Sequence, residues 1–229
     1  MRERSLFRFG SVSAIAGAIL GFATNFLHPR TSDIANPEAY LREVAESAIW
    51  IGDHVGILFA VLLAVGGYAA IYRSFTTERG TAWARLGIMG ALLGAAIISV
   101  LMATDGIAAK VVAGEWMNAP AAEKAVAFRV GVALAQVNFA LFSVTIVVWF
   151  GVTNILYGLA ILTDDVYPRW LGWVAVIGGV ASVLVGLNQA YGGLSVLTTN
   201  ILFPIVSTVL IFWFLVMGVV LWRRAGAAG

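Results

Sequence analysis

Few ionisable residues interrupt the long apolar segments of this 229-residue chain, so each of them is a candidate for chemistry. Asp53 and His54 are adjacent inside one apolar segment. Asp105 follows another, and His28 follows the first. A charged side chain within a bilayer is costly and is a functional candidate by default. With nearby amides, these residues predict a polar ligand-binding pocket formed by Asp53, His54, Asp105, Gln136, Asn138 and Asn188.

A structural role for the same residues stays open. Helix ends near a membrane interface are commonly polar, and Asp105-Gly106 is also the pattern expected where a helix leaves the membrane. Asp53 is equally suited to be the buried partner of Arg129 or Lys110. The sequence alone therefore does not separate a functional pocket from polar groups that hold helices together.

The two histidines, His28 and His54, are the available imidazole ligands for a haem or a metal ion. A haem would need both rings to face one cavity. A divalent metal held by these histidines with Asp53 and Asp105 has suitable ligand types. Adjacent residues of a helix point about 100° apart, however, so we expect either Asp53 or His54 to miss a shared metal. We therefore predict no cofactor and keep haem and a divalent metal as alternatives.

The sequence contains no recognisable catalytic motif. Cysteine is absent, which excludes disulfides, thiolate metal sites and a cysteine nucleophile. A P-loop, a serine nucleophile elbow and an H-E-x-x-H pair are also absent, as is a nucleic-acid motif. A proton relay from Asp53 would need a series of polar groups across the membrane. Asn154 is the main candidate on the inner side, and one amide is a weak basis for such a path. We predict no catalytic residue and no nucleic-acid partner.

The composition predicts the environment of these residues. Hydrophobic residues make up 61% of the chain and charged residues 11%, whereas soluble domains have roughly 45–50% and about 25%. The mean hydropathy of +0.93 agrees. The charged residues are too few to shield this much apolar surface from water, whereas the hydrocarbon chains of a bilayer can cover it. We predict one integral membrane domain spanning residues 1–229. The lipid bilayer is its predicted partner.

Six apolar segments reach the length of about 20 residues that a membrane-spanning helix needs. They predict an all-α, polytopic membrane helical bundle with helices at 9–27, 49–72, 82–104, within 130–162, 170–187 and 201–222. The fourth is treated as one long helix because neither proline nor charge interrupts residues 134–162. Glycines that follow Arg8, Arg85 and Arg169 form a weak internal sequence repeat. It fits three tandem helical hairpins, or ordinary packing of small residues.

Lysine and arginine positions predict the orientation. Nine of the 14 lie on the side of the N-terminus and five on the other side. The positive-inside rule therefore places both termini in the cytoplasm, in the cell membrane of a prokaryote. In this orientation the candidate pocket faces outwards. Trp50 and Trp116 fall near the outer interface, where aromatic belts form.

A short outer surface helix is predicted at about 37–48, between the first and second membrane helices. Asn36 is a suitable N-cap, Pro37 suits the first helical position, and Glu38 adds an acid in the first turn. An apolar stripe at helical spacing follows, formed by Tyr40, Leu41, Val44 and Ala48.

Two stretches carry a family resemblance. The letters N-P-E-A at 36–39 lead to Trp50 and His54, and Y-P-R-W-L-G-W at 167–173 is followed by two glycines at 178–179. Both stretches are similar to segments of small prokaryotic membrane proteins grouped near domain-of-unknown-function family 4386. The resemblance implies a multi-helix bundle. It carries no assigned activity, so it transfers no catalytic residue to this chain.

These observations favour two classes of function. In the first, an outward-facing polar pocket binds or transports a small molecule, a lipid or an ion. In the second, the protein is a non-catalytic accessory subunit that packs against other membrane proteins or against copies of itself, and its polar groups join helices. A membrane haem or metal protein is a third alternative. The adjacent Asp53 and His54 favour the first class, because packing alone does not explain an intramembrane acid beside a histidine.

Overall fold

The computed structural model describes residues 2–29 and 35–227, and within them it contains helices and turns but no strand. Its α-helices are α1 (Arg2–Leu27), α2 (Pro37–Glu46), α3 (Trp50–Arg73), α4 (Glu78–Leu101), α5 (Ala109–Asn118), α6 (Lys124–Thr145), α7 (Thr153–Leu162), α8 (Arg169–Gly192) and α9 (Phe203–Ala227). Three segments are π-helical: Met102–Ala108, Ile146–Val152 and Val196–Leu202. Six spans are long and apolar enough to cross a membrane, which confirms the predicted six-helix, all-α bundle. The orientation of the termini stays a prediction.

Two of the spans are continuous rods longer than a bilayer is thick. One runs from Glu78 to Asn118 and has 41 residues; the other runs from Lys124 to Leu162, as one helix, as predicted. At 1.5 Å per residue the first rod is about 60 Å long, roughly twice the hydrocarbon thickness. The prediction that the third helix ends at residue 104 is wrong. Asp105 continues the helix because its carboxylate is hydrogen-bonded inside the bundle.

Small residues let the membrane helices approach closely. α1 packs along α3 and α9, and α7 packs along α8 and α4. A Cβ on Gly17 would lie 3.0 Å from the carbonyl oxygen of Ala60, and one on Gly158 would lie 2.7 Å from that of Gly172. In a lipid bilayer the hydrophobic effect does not drive helices together, so close packing of this kind stabilises their association instead. Side chains from both groups of helices line a large cavity between them.

A small cap covers one end of the bundle and is formed by α2, α5 and the start of α6. Its buried apolar cluster is formed by Leu41, Val44, Trp50, Ala109, Ala113 and Trp116. Trp50 and Trp116 are only 3% and 4% exposed. They therefore pack inside the cap instead of lying in an exposed aromatic belt, because α2 folds over them.

Both ends of α2 are capped by side chains. At its start, the side chain of Asn36 accepts hydrogen bonds from two backbone amides. At its end, the Lys110 ammonium donates to three backbone carbonyls at 2.7–3.0 Å, those of Val44, Ala45 and Ser47. A cation at the C-terminus of a helix also interacts favourably with the helix dipole. Lys110 thus anchors α2, so the alternative that it pairs with Asp53 is wrong.

Asp164 joins two loops at the opposite end of the bundle. Its carboxylate accepts the backbone amides of Thr76 and Thr77 at 2.9 and 2.8 Å, and that of Val166 at 3.0 Å. The residue is buried. Burial favours the neutral acid, but the hydrogen bonds from Thr77 and Thr76 outweigh it and lower the pKa of Asp164 below its ordinary value. The carboxylate therefore ties the α3–α4 loop to the α7–α8 loop.

We predict that Asp164→Ala lowers the free energy of unfolding by about 2–3 kcal/mol at neutral pH, because it removes a charged acceptor of several hydrogen bonds. Since the folded pKa is lowered, this contribution is present above the ordinary value of 3.8 and is lost as the pH falls through the folded pKa. Unfolding of the detergent-solubilised protein at pH 7 and at pH 3 measures it. The matched control is Asp165→Ala, which removes an exposed neighbouring acid. An equal loss in both variants would contradict the assignment.

Candidate functional site

Asp105 is the centre of a polar cluster beneath the cap. Its Oδ1 accepts the hydroxyl of Tyr40 at 2.7 Å and the side-chain amide of Asn138 at 3.1 Å. Its Oδ2 lies 3.3 Å from Nε2 of His54. The indole of Trp50 donates to its backbone carbonyl at 2.7 Å. These contacts join α2, α3 and α6 to the π-helical segment that carries Asp105.

His54 is fixed by a hydrogen bond to its own helix. Its Nδ1 lies 2.7 Å from the carbonyl oxygen of Trp50, which only accepts, so Nδ1 carries the hydrogen. Nε2 therefore faces Asp105 Oδ2. Gly106 makes room for this ring, because a Cβ there would lie 2.5 Å from the Cβ of His54. The glycine next to the central acid is thus needed for close packing of the histidine.

His28 brings a third member to the cluster from the end of α1. Its Nδ1 lies 3.2 Å from Oδ2 of Asp53, and its ring meets that of His54 edge-on at 5.1 Å. Asp53 is 7% exposed. Within residues 2–29 and 35–227, neither Nδ1 of His28 nor Oδ2 of Asp53 makes a hydrogen bond, although both atoms are buried. His28, Asp53 and His54 each offer one ligand atom, and these atoms lie within 4.8 Å of one another. His28 therefore lies close to both Asp53 and His54, although their side chains point in different directions on α3.

The cluster forms one end of a cavity of about 570 Å³. Both His54 and Tyr68 line it, and these residues are separated by 14 positions of α3, or about 21 Å. The cavity is therefore long and narrow. Its polar end is lined by residues that include His28, Tyr40, Glu43, His54, Asp105, Gln136 and Asn138, and its length by apolar residues that include Ile57, Val61, Leu101, Phe139, Phe142 and Phe214.

The far end of the cavity carries a second, smaller polar group. The hydroxyl of Tyr68 donates to Oδ1 of Asn154 at 3.2 Å. The Asn154 amide donates in turn to the carbonyls of Trp149 and Phe150, which the π-helical turn leaves available. Both Tyr68 and Asn154 are buried. The cavity is thus polar at both ends and mainly apolar between them, where isolated polar side chains such as Thr145 and Ser207 also line it.

All three π-helical segments among the described residues contribute to this cavity. The contributing side chains are those of Met102, Asp105, Trp149, Phe150, Thr199 and Asn200. A π-helical turn widens a helix locally, redirects side chains and is frequent at functional sites. The coincidence of three such segments at one cavity marks it as the candidate functional site.

The pKa values of Tyr40 and Glu43 at the polar end of the cavity are raised, which favours their protonated forms. Burial first, and the neighbouring Asp105 carboxylate second, raise the pKa of Tyr40 well above its ordinary value, so this residue acts as a hydrogen-bond donor. Burial also raises the pKa of Glu43, which lines the same end from α2. Any ligand there meets hydroxyl, imidazole and carboxyl groups within hydrogen-bonding reach.

The structure brings together most of the residues that the sequence predicts. His54, Asp105, Gln136 and Asn138 line the cavity, and Asp53 adjoins it through His28. Asn188 does not belong to this set, since it is exposed and outside the cavity lining. Its neighbour Gln189 is buried instead; its amide donates to Ser143 and its carbonyl accepts from Thr199.

Three residues at the site escape the sequence reasoning. Tyr40 lies on the apolar stripe of α2, where the spacing indicates packing and not a hydrogen bond to Asp105. Trp50 looks like an interface residue, and Tyr68 looks like part of an apolar span. Only long-range contacts reveal them, because the partners of Tyr40 and Trp50 are more than 50 positions away.

A model of the family described as a domain of unknown function (DUF4386) matches residues 11–218. The chain belongs to the DUF4386 family. This confirms the resemblance stated from the two short stretches. No curated protein and no solved structure matches the chain.

All residues of the polar cluster lie inside the segment matched by the DUF4386 model, from His28 to Asn138. The family description names no activity, so the function of this DUF4386 protein is argued from the cavity itself. Chemically, the cluster offers two imidazoles, two aspartates and a tyrosine hydroxyl at one end of an apolar channel. It can bind a polar group of a ligand, a proton or a cation.

We predict that Gly106→Ala disturbs the site of this DUF4386 protein, because the added methyl group would lie 2.5 Å from the Cβ of His54. Overpacking of this kind costs about 1–3 kcal/mol. The matched control on the same rod is Gly114→Ala, where no atom lies within 4 Å of the added methyl group. The melting temperature in detergent should fall for the first variant and stay level or rise for the second. Equal melting temperatures would show that Gly106 does not have to be glycine.

Proposed function

We propose that this DUF4386 protein binds an amphipathic small molecule or lipid in the cavity. The polar group of the ligand lies beside Tyr40, His54 and Asp105, and its apolar part extends towards Tyr68. The observation that carries the proposal is the shape and polarity of the cavity: about 570 Å³, roughly 21 Å long, and mainly apolar between a polar cluster and a buried tyrosine.

The apolar walls support an amphiphile better than a free ion. An ion that moved along the cavity would lose its hydration against side chains such as Val61, Phe142 and Phe214, and isolated hydroxyls such as that of Thr145 would replace only part of it. An alkyl chain gains contacts with the same walls. The proposal therefore covers binding and not transport.

The cap supports a binding pocket better than a docking surface for a second polypeptide. α2 turns Leu41 and Val44 inwards, and Tyr40 and Glu43 of the same helix line the cavity. Its exposed face carries Glu38 and Arg42, which pair with each other at 3.1 Å. Most polar side chains of α2 are thus used for the cavity or for a pair within the helix, whereas Glu46 is exposed and belongs to neither group. The contacts of α2 therefore favour a pocket over a docking surface.

We also propose that the polar end faces the outside of a prokaryotic cytoplasmic membrane. The excess of arginine at the other end supports this orientation by the positive-inside rule. A ligand would then enter from the outer leaflet or the outer solution, close to the cap.

Ala64→Phe tests the binding proposal. Ala64 is buried on α3 and lines the cavity between His54 and Tyr68, so a phenyl ring there should block the apolar part. Native mass spectrometry of protein extracted gently from its own membrane should find a bound amphiphile on the wild type, at about one per chain. We expect at least a tenfold lower occupancy for Ala64→Phe, and a smaller reduction for the milder Ala64→Leu.

The matched control is Leu62→Phe, which places the same ring on the exposed face of the same helix. It should keep the wild-type occupancy. A wild-type protein without any bound amphiphile, or a folded Ala64→Phe variant with full occupancy, would contradict the proposal. A co-purifying polypeptide would instead favour the accessory-subunit alternative.

Single cysteines test the orientation, because the natural chain has no cysteine to be labelled in the background. Glu46→Cys lies on the exposed side of α2, and Asp165→Cys lies in the exposed α7–α8 loop at the other end. Neither substitution changes the lysine and arginine count that sets topology. A membrane-impermeant maleimide should label Glu46→Cys in intact cells and Asp165→Cys only after lysis. The reverse pattern would overturn the proposed orientation.

A further inference from the structure

We propose that His28, Asp53 and His54 form a binding site for a divalent transition metal ion of the zinc type. Each residue offers one ligand atom, and the three atoms lie within 4.8 Å of one another. Zinc binds histidine nitrogen and aspartate oxygen at about 2.0–2.2 Å, so two of its tetrahedral ligand atoms are about 3.3 Å apart. Nδ1 of His28 and Oδ2 of Asp53 are separated by 3.2 Å, which matches that spacing.

The same two atoms lack hydrogen bonds. Nδ1 of His28 and Oδ2 of Asp53 are buried and in ion-pair distance of each other, but neither has a hydrogen-bond partner among the described residues. The aspartate itself is 7% exposed. An unsatisfied carboxylate oxygen at such a position is costly. A metal ion between the two residues would satisfy both atoms at once, which ordinary packing does not do.

His54 is held in the way that metal-binding histidines usually are. Its Nδ1–H donates to the carbonyl oxygen of Trp50 at 2.7 Å, so Nε2 is the ring nitrogen available to a metal ion. Nε2 faces Oδ2 of Asp105 at 3.3 Å, and a bound ion would replace the proton between these two atoms, while Asp105 keeps its hydrogen bonds from Tyr40 and Asn138. A backbone carbonyl on the far ring nitrogen is a common second partner of a metal ligand, because it fixes the tautomer and the ring direction.

The charges of the cluster suit a divalent cation. Asp53 is a ligand, and Asp105 lies 3.3 Å from Nε2 of His54. Two carboxylates neutralise a 2+ ion, which reduces the cost of placing it in a region of low dielectric constant. Lys110 does not compete, since it donates to the end of α2. Two imidazole ligands favour zinc, copper or nickel over magnesium and calcium, which prefer oxygen ligands.

The partial exposure of the third ligand provides a route for the ion. The side chain of His28 is 31% exposed, whereas that of Asp53 is 3% exposed. His28 follows the last residue of α1, so it can turn towards the ion without moving a helix. With three protein ligands, the fourth position stays open towards the cavity, where water or a polar group of a ligand can occupy it.

The test uses the full-length protein expressed without a polyhistidine tag. Zinc content after purification is measured by elemental analysis, and affinity is measured by competition with a chromophoric chelator. Cobalt substitution adds a direct readout, because tetrahedral coordination gives characteristic visible absorption. We expect about one zinc per chain in the wild type and at least a 100-fold loss of affinity in Asp53→Asn and in His28→Ala.

Glu46→Gln is the matched control for Asp53→Asn, since it removes an exposed carboxyl group of α2 that neither lines the cavity nor belongs to the three ligands. It should retain the zinc affinity. Ala64→Phe should also retain it, which separates this inference from the amphiphile proposal. A wild type that binds no zinc or cobalt would overturn the metal site. So would wild-type affinity in the folded His28→Ala variant, or an equal loss in Glu46→Gln.

Discussion

The arrangement of the cap and the cavity depends on one constraint: the largely enclosed carboxylate of Asp105, whose side chain is 19% exposed, needs hydrogen-bond partners where water is scarce. Tyr40, Asn138 and His54 provide them, and Trp50 binds the backbone carbonyl of the same residue. An unpaired carboxylate in such a place would cost far more than any of these contacts contributes. Satisfying it draws α2, α3 and α6 to one point, and the cap and the polar end of the cavity result from that convergence.

The π-helical segments reconcile this polar centre with long apolar rods. A regular α-helix through residues 102–108 would turn the side chains after Asp105 by a different angle, whereas the π segment widens the helix and presents the acid and Gly106 to His54. The segment before Thr153 frees carbonyls that Asn154 binds at the other end of the cavity. Irregular backbone within a bilayer is tolerated where protein surrounds it or where it lines a cavity, which is where these segments lie.

The sequence predicts the parts of this molecule that depend on composition and local pattern. The six membrane helices, the long fourth helix and the family resemblance follow from apolar length and a few short motifs. Apolar periodicity does not indicate that a helix continues through Asp105, nor that Tyr40 turns its hydroxyl towards that acid. Those features depend on contacts between residues far apart in the chain. The same is true of Asn188, since one step along α8 decides whether it or Gln189 is buried.

The pairing of two aspartates with two histidines raises a question of charge balance. Two protons or one divalent cation would neutralise Asp53 and Asp105 equally well in a medium of low dielectric constant. Protons on the histidines account for the contact of His54 with Asp105, where the imidazole donates to a carboxylate that is already well hydrogen-bonded. The facing atoms of His28 and Asp53 are 3.2 Å apart, close enough for an ion pair with a protonated imidazole, but no hydrogen bond joins either atom to the described residues. A cation bonded to both atoms would satisfy them together and would take the place of the proton on Nε2 of His54, a ring whose direction is fixed by its hydrogen bond to Trp50.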